Sequence, residues 1–125
     1  YVETLYKKIT EYQADIAVGN YCKFNESDSN FYFHISGNYF EKLYDNVSIV
    51  DCLNDSNRLL NSALIVAWGK IYRKEIISNF RFPVGIVTED TVFNLKILLA
   101  SKSIVYINKA AYIYRVRSGI LPSKT

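Results

Sequence analysis

The chain has 125 residues, half of them hydrophobic, which fits one folded unit and excludes a disordered polar chain. Its formal charge of +3, from 15 basic and 12 acidic residues, is too small and too dispersed to suggest a nucleic-acid partner. Two cysteines, Cys22 and Cys52, make neither a disulfide framework nor a metal cluster, which leaves a single bridge as an open alternative.

The pattern begins with Val2, Leu5, Tyr6, Ile9 and Tyr12 at three- and four-residue steps, which predicts an amphipathic helix over residues 1–13. The run from Ala14 to Phe24 is rich in β-branched and aromatic residues and reads as a strand. The cluster Asn25 to Asn30 is a turn by composition, and Phe31 to Ser36 is a second strand able to pair with the first as a hairpin. Between Tyr39 and Asp55, the steps of Phe40, Leu43, Tyr44 and Val47 predict short helices. Leu59, Leu60, Ala63, Leu64, Val66, Ala67 and Ile71 predict a helix with a break near Gly69, and a further helical piece spans residues 73–78. Pro83 and Gly85 mark a loop. Thr88 then stands as the N-cap of a helix running to about Ala100, with Glu89 and Asp90 in its first turn. Residues 103–108 and 110–117 read as one or two strands.

Eleven Tyr and seven Phe stand against one Trp and no Met. A tyrosine pairs an apolar ring with a polar tip, so many of these belong at the rim of a core or in a cleft wall. There is no leader pattern, and no apolar run approaches the ~18 residues of a membrane span. With the cysteine count, this points to a reducing, cytoplasmic setting and leaves peripheral association at the inner face of a membrane open. The chain has no initial Met and begins inside a helical pattern, as an excised segment would.

General searches for chemistry find no phosphate-cradling glycine loop. His34 is the one histidine, set in an aromatic run, and reads as structural rather than as a metal ligand. The acidic pair Glu89-Asp90, after a Pro/Gly loop and at a helix start, offers a general base for a hydroxyl, with helix capping as the competing role. Arg115 and Arg117 alternate along a strand, and could grip phosphate or carboxylate from one face or stand solvated. Trp68 reads as a packing anchor with Lys70 snorkelling past it, substrate contact being the alternative. The triplets Asn25-Glu26-Ser27 and Asn46-Val47-Ser48 match a glycosylation pattern that arises often by chance.

Taken in order, these pieces resemble the second half of bacterial family 2 glycosyltransferases. The resemblance rests on Trp68, Lys70, Ile71 and Tyr72; on Phe82, Pro83 and Gly85; on Glu89, Asp90 and Phe93; and on Tyr112, Tyr114, Arg115 and Arg117. It implies an α/β fold, the C-terminal portion of a GT-A fold with helices packed on a small mixed sheet. It further implies inverting transfer of a sugar from a nucleotide-sugar to an acceptor hydroxyl, in the synthesis of cell-surface polysaccharide. Asp90 would then be the base and Glu89 its neighbour orienting the acceptor, with Trp68, Lys70, Arg115 and Arg117 as substrate-binding candidates. The family's Asp-x-Asp is missing, so the chain reads as a single partial domain, 1–125, without the nucleotide-binding half. It is expected to carry no cofactor itself, the divalent metal (Mg²⁺ or Mn²⁺) belonging to the full-length parent, and to be inactive alone. Exposed apolar surface and self-association are expected of such a half. The alternatives are a non-catalytic interaction or glycan-binding module derived from such an enzyme, or a secreted domain with one disulfide.

Overall fold

A computed structural model describes residues 1–33, 38–54 and 58–117, without the side chains of residues 54, 58–61 and 111. His34 and the tail Ser118-Gly119-Ile120 lie outside the described residues.

The first helix, α1 (Val2–Glu11), buries Leu5 and Ile9 and leaves Val2 and Tyr6 exposed. It ends at Gln13, whose φ of 49° is left-handed, with the amide of Ala14 donating to Ile9 and that of Gln13 to Thr10. This pairing closes the last carbonyls of the helix and turns the chain into the sheet. β1 (Ile16–Asn25) forms the predicted hairpin with β2 (Asn30–Phe33). The turn between them is held by Asn25 Oδ1, which accepts from the amide and the hydroxyl of Ser27, and by Asp28 Oδ1, which accepts from the Asn30 amide. Asn25 therefore has a turn-forming role.

Residues 39–54 contain one short helix, as expected, but only in their second part. Phe40, Leu43 and Tyr44 lie not on a helix but on or beside a strand, β3 (Glu41–Tyr44), and only Val47 falls on a helix, α2 (Asn46–Asn54). The sheet decides this: β3 pairs antiparallel with the last strand, and that pairing overrides a weak helical spacing. The next helix, α3 (Arg58–Ile65), stops before Val66 and Ala67, and Ile71 is on a strand, β4 (Lys70–Tyr72). Gly69, at φ 75°, makes the break. The short α4 (Lys74–Ile77) and the long α5 (Glu89–Ala100) follow, then β5 (Ile104–Val116) as one strand.

The result is a mixed α/β fold around a five-stranded sheet of order β2-β1-β5-β3, with β4 on β1 beside β2. β1 and β5 run parallel; the other pairs are antiparallel. Alternation along β1 and β5 sends Ile16, Val18, Ile104 and Tyr106 to one face, packed with Ile49, Leu64, Phe93 and Ile97 of α2, α3 and α5. Ala17, Val105 and Ile107 go to the other, under Leu5 and Ile9 of α1. The pairing slips in mid-strand: Gly19 faces Ile107 but Tyr21 faces Tyr112, so two steps on β1 span five on β5. Beyond this bulge, on the ribbon of β2, β1 and β5, Phe31, Phe33 and Ile113 are exposed.

Tyr21, Tyr44 and Tyr106 are buried at the core edge, as the tyrosine count suggested. Cys22 on β1 and Cys52 on α2 are both free thiols. No helix among the described residues is long and apolar enough to cross a membrane.

Candidate functional site

The acidic pair sits where the loop after α4 enters α5. Phe82 of that loop stacks on Phe93 of α5, with ring centroids 3.9 Å apart and planes 13° off parallel. This contact anchors the loop and explains the Phe82 and Phe93 parts of the pattern in packing terms. Thr88 does occupy the N-cap position, but its chemistry differs from the expectation. Its φ of 69° places a β-branched residue in the left-handed region, and its hydroxyl makes no cap, donating instead to the carbonyl of Val87. Strain of this kind costs about 1–3 kcal/mol and persists where the surroundings over-determine the backbone.

Glu89 is exposed and Asp90 is half-buried. Asp90 Oδ1 accepts the Thr91 amide at 2.8 Å, which fixes the plane of the carboxylate, and among the described residues Oδ2 accepts no hydrogen bond. The acid is thus oriented with one oxygen available to a ligand.

Lys70 is within electrostatic reach of it. β4 pairs Lys70 with Val18, so its side chain passes to the α3–α5 face of the sheet. It is 8 % exposed, and its ammonium donates to the carbonyls of Ala63 and Val66 at the end of α3. Burial depresses its pKa to about 7, opposed by the charge of Asp90. Lys70 does not snorkel to solvent; it closes a helix end.

Trp68 is not on a helix but in the bend before Gly69. It stacks on Tyr112 (4.6 Å, 13°) and Tyr114 (5.4 Å, 19°), with Tyr21 edge-on at 4.8 Å. Tyr1 touches Tyr112, so this aromatic group continues from the start of α1. Lys70 therefore lies on the α3–α5 face of the sheet, where the charge of Asp90 reaches it, while Trp68 joins the tyrosines toward the other. Arg115 forms an exposed ion pair with Glu26, and Arg117 lies exposed just past the end of β5. Neither is brought to Asp90 by any described contact.

Sequence reasoning missed Asn94. It is 1 % exposed, accepts from the Tyr72 hydroxyl at 2.6 Å, and donates to the carbonyls of Asp90 (2.8 Å) and Ile65 (3.2 Å). The signal was present: Asn94 shares the buried stripe of α5 with Phe93, Ile97 and Leu98, and a polar group there needs partners. A surface groove of about 530 Å³ between α1 and β4–α4 is lined by Val2, Tyr6, Ile71, Arg73 and Lys74 among others, and neither Glu89 nor Asp90 borders it. Among the described residues, no three His, Cys, Asp or Glu side chains are grouped to hold a metal ion.

No protein-family profile matches the chain. It is 54 % identical over 122 residues to glycosyltransferase GlyA of Streptococcus pneumoniae serotype 4, a match covering 97 % of this chain and 18 % of that protein. It is also 34 % identical over 121 residues to glycosyltransferase GlyG of the same organism, covering 94 % of this chain and 40 % of that protein. The chain thus spans less than half the length of either relative, and its similarity is to a segment of each.

Proposed function

We propose that this chain is the acceptor-side portion of an inverting family 2 glycosyltransferase with a GT-A fold, acting in cell-surface polysaccharide synthesis. The observation that carries the reading is the oriented Asp90 carboxylate at the strained entry to α5, in a segment similar to two proteins named glycosyltransferases. In the transfer, an oxygen of Asp90 takes the proton of the acceptor hydroxyl. The acceptor oxygen forms a bond to the anomeric carbon from the side opposite the leaving group. The bond from that carbon to the nucleoside diphosphate breaks, and the diphosphate leaves with the electron pair. Glu89, exposed one residue earlier, orients the acceptor.

The nucleotide-sugar is assigned to residues outside this chain. The family's divalent metal has no fitting donor set among the described residues. The chain alone is then inactive. Peripheral attachment to the inner face of a membrane belongs to the same reading.

Two measurements test it. Titration calorimetry of this chain with UDP, UDP-sugars and Mn²⁺ should show no binding; clear micromolar binding would put the donor site inside these residues. In the complete transferase, Asp90→Asn should lower kcat about 100-fold or more at unchanged donor KM; full activity would remove the base from Asp90. A second reading, a glycan-binding module, is favoured by the shelf of Trp68, Tyr112 and Tyr114, whose outermost ring, Tyr114, is 43 % exposed. It requires that this chain bind oligosaccharide without any donor, and that Trp68→Ala abolish the binding.

A further inference from the structure

We infer that Asn94 and Tyr72 are positioning residues that set the Asp90 carboxylate, an inference that rests on Asp90 being the base. Asn94 lies one turn below Asp90 on α5, and its amide nitrogen ties the Asp90 carbonyl to that of Ile65, the last residue of α3. One side chain therefore couples the first turn of α5 to the end of a different helix. The two carbonyls can only accept, so they settle which end of the amide faces them; the Tyr72 hydroxyl holds the other end by donating to Oδ1 at 2.6 Å. Tyr72 comes from β4, whose register on β1 is fixed by the pairs Tyr72 with Ile16 and Ile71 with Ala17.

The chain of constraint runs from sheet to tyrosine, to amide, to the backbone of the acid. Lys70, two residues earlier on the same strand, holds the carbonyl of Ala63 in α3 and that of Val66 just past its end. The end of α3 is thereby a fixed post rather than a fraying terminus. Asp90's own bond to the Thr91 amide orients the carboxylate within its turn, and the clamp orients the turn within the fold. A base displaced by about 1 Å can lose two orders of magnitude in rate, so a clamp of this kind acts on kcat and leaves the binding of a donor held elsewhere untouched.

The test uses the complete transferase with saturating acceptor and four variants: Asp90→Asn, Tyr72→Phe, Asn94→Leu and the Tyr72→Phe/Asn94→Leu double. The expected result is a kcat loss of about 10- to 100-fold for each clamp variant. Donor KM should stay within about twofold, and the double variant should be no slower than Asn94→Leu alone, because Tyr72 acts through Asn94. A purely structural role would instead lower the melting temperature with kcat per folded molecule unchanged and the two losses adding. That result, or kcat within about twofold for Tyr72→Phe and Asn94→Leu while Asp90→Asn is dead, overturns the clamp and leaves the base standing. An active Asp90→Asn overturns the base and the clamp together. If Asn94→Leu does not fold, Tyr72→Phe, which removes one hydroxyl, decides.

Discussion

Replacing Lys70 with Met tests the junction of α3, β4 and α5 through its pH dependence. In the folded chain, burial depresses the Lys70 pKa from 10.5 to about 7, with Asp90 the opposing charge. In the unfolded chain the amine keeps its proton to about 10.5. Between these values the unfolded state binds one more proton, so Lys70 makes stability rise with pH from about 7 upward; below about 7 both states are protonated and its contribution is flat. At about 1.4 kcal/mol per pH unit, wild-type stability should gain about 3 kcal/mol more than the variant between pH 6 and 9. Met keeps the alkyl volume but leaves the carbonyls of Ala63 and Val66 without this donor, a loss of about 1–3 kcal/mol at pH 9. That loss shrinks or reverses at pH 6, where the wild type must bury a charge. Asp28, Glu41 and Asp45, all lowered, titrate below this range; Tyr1 and Tyr106, raised to about 12, titrate above it. Urea unfolding followed by the fluorescence of Trp68, the sole tryptophan, measures the difference at each pH. Parallel stability curves for the two proteins would refute the argument.

Gly69→Ala should cost about 1–2 kcal/mol in the same assay, because φ 75° strains an alanine although its Cβ would meet nothing nearer than 3.7 Å. A change within 0.3 kcal/mol would mean the bend relaxes. Arg115→Ala should alter stability by less than about 0.5 kcal/mol, since its ion pair with Glu26 is solvent-exposed; a larger loss would show a structural role that the geometry does not. The ribbon carrying Phe31, Phe33 and Ile113 should drive self-association at tens of micromolar, and Phe33→Lys should abolish it in sedimentation velocity. A strictly monomeric wild type would overturn this.

The elements with strong local signals were legible: α1 and α5 from their spacing, the 25–30 turn from its Asn and Asp, and the break at Gly69 from glycine itself. What failed was set at long range. Leu43 and Tyr44 became a strand because β5 offered an unpaired edge, and Ile71 did so because β1 did. Neither cause lies within a local window of residues. Alternation along 104–117 would send Tyr106, Tyr112 and Tyr114 to one side. The three additional residues that β5 inserts between Ile107 and Tyr112 reverse the later two, and so the stacking of Trp68 could not be read in advance. The acidic pair was legible as a site candidate. Its support was half visible: Lys70 and Tyr72 stood in the motif, but their carbonyl and amide partners exist only once α3 and α5 meet.

The slip in β5 also divides the sheet into two registers that need not change together. On one side, the β1–β5 pairing is packed under the helices; on the other, it runs out to the turn at 26–29. A residue gained or lost in the outer ribbon would re-aim Phe31, Phe33 and Ile113 while the irregular step absorbs the offset. The inner half would be left as it is. Such a joint lets the reach and facing of the outer surface change at little cost to the geometry around the acid.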